Sequence, residues 1–147
     1  MKLIDIPPVW LAIAIAAMWV ETRVTGGFAV AGWVAAAGWG LVFAGLAVSA
    51  LALFAFLRAR TSPVPHTEPD AIITRGLYSF TRNPIYVADV AVLLGAGLVL
   101  GAVSVVVLLP AFVALIERRF IRGEEARLAA RFPEEWAVWS ARVRRWL

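Results

Sequence analysis

Cysteine is absent from the 147 residues and histidine occurs once, as His66. The first absence excludes a disulfide scaffold, a thiolate metal site and a cysteine nucleophile. The second leaves no histidine cluster for a metal and argues against a zinc hydrolase or a serine triad. His66 itself stands in a polar loop and reads as solvated, not catalytic. Charge is also scarce, at 16% of residues, while 62% are hydrophobic. Ordinary soluble domains carry about 25% charged and roughly 45 to 50% apolar residues. The apolar excess therefore belongs to a bilayer, and the length fits a single unit, residues 1–147.

What is present is organised in long uncharged runs. Residues 6–20 form one of 15 residues, closed by Glu21 and Arg23. A signal peptide is the rival reading, but Asp5 and the pair Pro7-Pro8 stand where its positive region belongs, so a retained span is expected. Residues 28–57 are uncharged for 30 positions. As a helix they measure about 45 Å at 1.5 Å per residue, enough for one tilted or protruding span. Residues 85–116 carry a single charge, Asp89, over 32 positions. Two short spans with a hairpin near residues 101–104 solve that length, with Pro110 tolerated inside the fourth. The expectation is an all-α polytopic membrane protein with spans near 6–22, 28–57, 84–100 and 103–121. A loop, 58–83, and an amphipathic helical tail, 122–147, complete it.

Of the fourteen basic residues, thirteen are arginine and one is Lys2. With four spans, Lys2, the loop and the tail share a side that holds thirteen of the fourteen, and Arg23 stands alone opposite. The positive-inside rule then makes both termini cytoplasmic in a multi-pass membrane protein. The basic face is expected to meet anionic lipid headgroups, and no nucleic-acid partner is implied.

Candidate chemistry lies in two clusters. Residues 74–86 hold Tyr78, Arg82, Asn83, Pro84 and Tyr86 at the head of the third apolar run. Structurally, Asn83 suits an N-cap, Pro84 a first helical position, and the tyrosines an interfacial belt. Functionally, the same helix start faces the cytoplasm and offers free N–H groups to an anionic or carboxylate-bearing ligand. The second cluster is Glu124-Glu125, followed by Leu128, Phe132, Trp136, Trp139, Val143 and Trp146 at helical spacing. The aromatics are expected to lie in the membrane interface. The acidic pair either solvates a helix face or holds a cation such as a sulfonium, whereas Glu134 and Glu135 suit the first turn after Pro133. Gly95, Gly97 and Gly101 form a small-residue face suited to helix packing or to close approach of a cofactor. Asp89, an ionisable group one turn inside a span, is a functional candidate unless Arg82 pairs with it.

In this order, Gly76-Leu77-Tyr78, Arg82-Asn83-Pro84-Ile85-Tyr86, Gly95-x-Gly97, Glu124-Glu125-x-x-Leu128 and the aromatic, basic end from Phe132 resemble the isoprenylcysteine carboxyl methyltransferase family, which groups with the phospholipid N-methyltransferases. The resemblance covers roughly residues 61–147. It implies an integral membrane methyltransferase that uses S-adenosylmethionine, with a prenylated or lipid-like substrate arriving from the bilayer. Ile72, Ile73, Tyr78, Arg82, Asn83, Pro84, Tyr86, Gly95, Gly97, Glu124 and Glu125 fall on cofactor positions. Asn83 stands where eukaryotic members carry histidine; it can hydrogen-bond but not act as an acid or base. The arginine that binds a substrate carboxylate has Arg118, Arg119 and Arg122 as candidates, and Arg118 and Arg122 would share a face at i,i+4. Methyl transfer from a sulfonium needs orientation and dryness and no metal, which suits a chain without cysteine. Other readings are an N-methyltransferase acting on a phospholipid or amine, with Asp89 contacting the amine; an NADPH-dependent membrane reductase, which shares the Arg-Asn-Pro-x-Tyr segment; and a non-catalytic membrane adaptor.

Overall fold

A computed structural model describes residues 5–64 and 67–147; Lys2 and His66 lie outside them. The described residues are helical, with no strand among them. Six helices follow one another: α1 (Pro7–Thr25), α2 (Gly32–Ala59), α3 (Pro84–Leu100), α4 (Val105–Ile116), α5 (Arg122–Arg131) and α6 (Pro133–Ser140). A 3-10 turn occupies Gly76–Ser79, and a π-helical turn, Glu117–Ile121, joins α4 to α5 without a break.

Helices α1 and α2 are long and apolar enough to cross a membrane, and α3 is a shorter apolar helix. Only 11% of each long window is buried, whereas a core helix of a soluble protein is mostly covered. Large side chains such as Trp33, Phe43, Phe54 and Leu57 are exposed along α2. An apolar helix left uncovered on most of its surface has lipid as its natural solvent.

The central helix is α3, against which α1, α2 and α4 all pack, α2 most extensively. Three residues of α2 are buried: Gly38, Gly45 and Ala52. They recur every seven positions, the period that keeps one narrow seam facing a neighbouring helix. A Cβ at Gly38 would stand 2.8 Å from the carbonyl oxygen of Gly95, and one at Gly45 would stand 2.8 Å from that of Ala88. At Gly97 the close neighbours are the side chains of Val105 and Met18. Gly95 and Gly97, cofactor positions by resemblance, are thus occupied with close helix packing, where small residues let helices approach.

The hairpin forms where expected. Gly101 ends α3 in the left-handed region at φ 64°, and its N–H caps the carbonyls of Gly97 and Leu98. That conformation suits glycine, and a side chain there would also collide with the backbone of Phe28. Beside the hairpin, the Glu21 carboxylate accepts from the N–H groups of Val103 and Ser104 and from the Ser104 hydroxyl, which joins α1 to the start of α4. At the other end, Arg119 pairs with Asp5 at 2.6 Å. The start of α1, the loop before α3 and the C-terminal residues therefore share one end of the bundle.

The tail, expected to be amphipathic and helical over 122–147 with a helix start at Pro133, is divided into two helices. It breaks at Phe132, whose φ of −132° and ψ of 62° are not helical, because Pro133 disfavours the helical region in the residue before it. Helix α6 starts at that proline, with Glu134 and Glu135 in its first turn. Its aromatics also turn inward. Trp139 and Val143 are buried in a core with Ala52 and Tyr78, and the Trp146 indole faces the Glu117 carboxylate.

Candidate functional site

A cavity of about 390 Å³ opens at the end of the bundle that holds the loop and the tail. It lies within the range of about 300 to 1,000 Å³ typical of small-molecule sites. Its walls come from the start of α1, the last turns of α2, the loop, the head of α3, α5 and Trp139. Most of the lining is apolar, including Leu53, Phe56, Ile72, Ile73 and Leu128, and among the described residues its charged members are Asp89, Glu124 and Arg127.

The loop is fixed by its own polar residues. The hydroxyl of buried Thr61 accepts from the Asp70 N–H at 3.1 Å, which folds the Pro-rich stretch back on itself. The 3-10 turn then buries Tyr78 edge-on against Phe56, with ring centres 5.9 Å apart. The indole N–H of Trp139 donates to the Tyr78 carbonyl at 2.8 Å, so α6 closes the turn from outside. Burial, with Glu124 nearby, pushes the Tyr78 hydroxyl above its ordinary pKa and keeps it neutral.

Pro84 occupies the first turn of α3, as expected, and Asn83 its N-cap position. The Asn83 side chain makes no capping bond. Its amide donates instead to the Arg145 carbonyl at 3.0 Å. The Thr81 hydroxyl reaches the same oxygen at 3.1 Å, and the Arg82 N–H donates to the Arg144 carbonyl at 2.9 Å. The Asn83 side chain, read from the sequence as an N-cap, is thus tied to a tail carbonyl instead.

Tyr86, one turn into α3, donates its hydroxyl to Glu124 at 2.8 Å. Burial raises the Glu124 carboxyl above its ordinary pKa, and the Tyr86 hydrogen bond and Arg127 charge oppose that rise. Arg127, three residues on, brings a buried Nη2 without a hydrogen-bond partner to the cavity wall. Asp89, three residues beyond Tyr86 on the same helix face, is 7% exposed, and its Oδ2 also lacks a partner.

Glu125 faces away from the cavity and is buried in an ionic cluster. Arg145 binds it at 2.7 Å, and Arg82 lies 3.5 Å away with its guanidinium over Trp136. Arg82 therefore does not neutralise Asp89. The acidic pair divides its work: Glu124 faces the cavity and Glu125 holds the tail.

Arg118 and Arg122 are exposed and do not line the cavity. Their supposed i,i+4 face is lost because a π turn aligns residues five apart, so Arg122 pairs with Glu117 at 3.0 Å. The arginine of the cavity is Arg127, which the sequence reading passed over. Its spacing of three from Glu124, next to Leu128 at four, is the signal that places all three on one helical face.

Of the residues singled out, Ile72, Ile73, Tyr78, Asn83, Pro84, Tyr86, Asp89 and Glu124 meet at the cavity. Arg82, Gly95, Gly97, Arg118, Arg122 and Glu125 are not among its lining residues. Comparison with known proteins gives one family: the sequence model described as phospholipid methyltransferase matches residues 33–135. Among curated proteins, the cobalt-zinc-cadmium resistance protein CzcN of Cupriavidus metallidurans is 35% identical over 65 residues, covering 44% of this chain and 30% of that protein. No solved structure matches.

Proposed function

The chain belongs to the phospholipid methyltransferase family, and on that premise we propose that it is an S-adenosylmethionine-dependent methyltransferase acting at the membrane on a lipophilic, prenylated or lipid-like acceptor. Family membership favours this reading over the reductase and adaptor. The observation that carries it is the Tyr86–Glu124 bond at the wall of a largely apolar cavity, with Arg127 on the same helical face.

The residues present fit the cofactor. A zwitterionic amino-acid end needs one anion and one cation close together, and Glu124 with Arg127 at i,i+3 supplies them. Tyr86 fixes the orientation of the Glu124 carboxylate, and the unpartnered Nη2 of Arg127 is a donor in want of an acceptor. Ile72, Ile73 and Tyr78 give apolar and aromatic surface for a flat ring. When bound, the cofactor supplies a methyl group on a cationic sulfur. The protein's part is to orient the acceptor and keep out water, which the apolar walls achieve.

In this reading residues 1–147 act as one unit of four spans, α1 to α4 with the π turn. Both termini are cytoplasmic, and exposed arginines such as Arg118, Arg122 and Arg131 meet anionic headgroups. Calorimetric titration of S-adenosylhomocysteine into the detergent-purified full chain tests the reading. Binding is expected, weakened about tenfold by Glu124→Gln, which is about 1.4 kcal/mol. Absence of binding by the wild type overturns it.

A further inference from the structure

The segment that follows α6, residues 141–147, is fastened inward and bare outward. On its inner side Val143 is buried, Arg145 binds Glu125 and Glu117, and the Trp146 indole faces Glu117. The carbonyls of Arg144 and Arg145 accept from the Arg82 N–H, the Thr81 hydroxyl and the Asn83 amide at the head of α3. On its outer side Arg142 and Arg144 are exposed, and neither forms an ion pair among the described residues. Leu147 is 76% exposed, and Phe80, next to Thr81, is 74% exposed. Arg118 is exposed too, in the π turn that Arg145 and Trp146 hold through Glu117. The acids of α6, Glu134 and Glu135, stand in its first turn, at the far end from Arg142.

Large apolar side chains among arginines without acidic partners are the composition with which a segment lies on an anionic membrane surface. In the four-span arrangement this end of the bundle lies at the cytoplasmic headgroups, so the surface that covers it is lipid. The same segment also sets the cavity. Asn83 and Trp139 line it, and Glu125 is the neighbour of Glu124. Were the segment to lift, buried Glu125 would lose its main partner, and nothing would tie the head of α3 to α5 around the Tyr86–Glu124 bond. A lipid surface that binds Arg142 and Arg144 on the segment and Arg118 on its seat holds the two side by side. That raises the effective concentration of the segment at its seat and shifts the population toward the fastened form.

We propose that residues 141–147 form a lipid-sensing strap: anionic headgroups bound by Arg142 and Arg144, with Leu147 and Phe80 set into the bilayer surface, hold the strap on α3 and α5 and so raise the affinity of the cavity for its cofactor. The cavity is then at its best where the cytoplasmic leaflet is negatively charged, and weaker in a neutral bilayer. This rests on the methyltransferase reading and adds to it a partner, the anionic bilayer surface, and the means by which that partner regulates the site.

The experiment measures S-adenosylhomocysteine affinity by calorimetry with the full chain in two nanodiscs, one of phosphatidylcholine and one of two parts phosphatidylcholine to one part phosphatidylglycerol. The wild type is expected to bind about tenfold more tightly in the charged nanodisc, which is within the reach of two arginines at an anionic surface. The double variant Arg142→Gln, Arg144→Gln should match the wild type in phosphatidylcholine and differ by no more than about twofold between the two nanodiscs. Arg145→Gln keeps both lipid contacts and loosens the strap's hold on Glu125, so it too should lose most of the gain. Binding in phosphatidylcholine shows that a variant folds; if the double variant loses it, Arg144→Gln alone takes its place. Equal wild-type affinity in the two nanodiscs overturns the proposal, and so does a full gain in the double variant, which would assign the effect to surface charge in general. Absence of wild-type binding in both nanodiscs overturns the methyltransferase reading instead. The strap is then judged by the thermal midpoint, expected to rise in the charged nanodisc for the wild type and not for the double variant.

Discussion

The side-chain amide of Asn83 donates to the carbonyl oxygen of Arg145, tying the head of α3 to the end of the chain across 62 positions. The guanidinium of that same arginine binds Glu125 at 2.7 Å and Glu117 at 3.1 Å. One residue therefore holds the loop, α5 and the π turn together, and all three frame the cavity or carry its charged groups.

Replacing Arg145 should loosen the site without touching its lining. In Arg145→Gln the buried Glu125 keeps only Arg82, at 3.5 Å. The expected cost is about 1 to 3 kcal/mol, since a buried charge loses its main hydrogen-bonded partner. It would be read as a lower thermal midpoint in detergent and weaker S-adenosylhomocysteine binding. Arg142→Gln is the control, because Arg142 is exposed and donates only to the carbonyl one turn back. Equal midpoints for the two variants would refute the clamp.

Glu124 gives opposite pH dependences for stability and binding. Its carboxyl is raised above 4.5, first by burial. The folded protein then holds a proton that the unfolded chain has released, so its contribution to stability falls as pH rises above 4.5 toward the folded value. Pairing with a cofactor ammonium needs the ionised form, so affinity for S-adenosylhomocysteine should rise over the same window. Titrations at several pH values should show that rise in the wild type and a flat profile in Glu124→Gln. A rise that survives in the variant would assign it to another group.

Arg127 should matter where Arg122 does not. Arg127→Met removes the cavity's cation and leaves Glu124 without a counter-charge, so cofactor affinity should drop about tenfold, which is about 1.4 kcal/mol. Arg122→Gln breaks an exposed pair with Glu117, the kind of contact worth about 0 to 1 kcal/mol, and should leave affinity within twofold. The reverse ranking, measured by calorimetry, would put the anion-binding end at the π turn.

What could be read from the sequence was what depends on local rules. Apolar run lengths gave α1 and α2, glycine gave the turn after α3, and prolines gave the starts of α3 and α6. Tyr78, Asn83 and Tyr86 were visible together because a loop and a helix start that break an apolar pattern stand out, and only the family resemblance joined Glu124 to them. Three features were not visible. The π turn adds a residue to a helical register that reads as continuous, so Arg118 and Arg122 do not share the i,i+4 face read for them. The division of Glu124 from Glu125 depends on Arg145, a residue twenty positions away with nothing local to mark it. The inward turn of Trp139 follows from a hydrogen bond to a loop carbonyl, whereas its spacing alone fits a membrane-facing stripe equally well.

The cysteine-free chain makes membrane orientation directly testable, because any introduced thiol is unique. Asp5 pairs with Arg119 at one end of the bundle, and Glu21 meets Ser104 at the other. The helices therefore alternate in direction, and Glu68 and Arg142 should lie opposite the hairpin at Val103. In the proposed four-span arrangement twelve of the thirteen arginines fall on the Glu68 and Arg142 side, and moving so many across a bilayer is what the positive-inside rule forbids. All three positions are exposed. In intact cells expressing single variants, a membrane-impermeant maleimide should label Val103→Cys and spare Glu68→Cys and Arg142→Cys; after permeabilisation all three should react. Labelling of Glu68→Cys and Arg142→Cys alone in intact cells would invert the orientation. Opposite behaviour of those two would mean that α3 and α4 do not both span, and the four-span arrangement would fail with it.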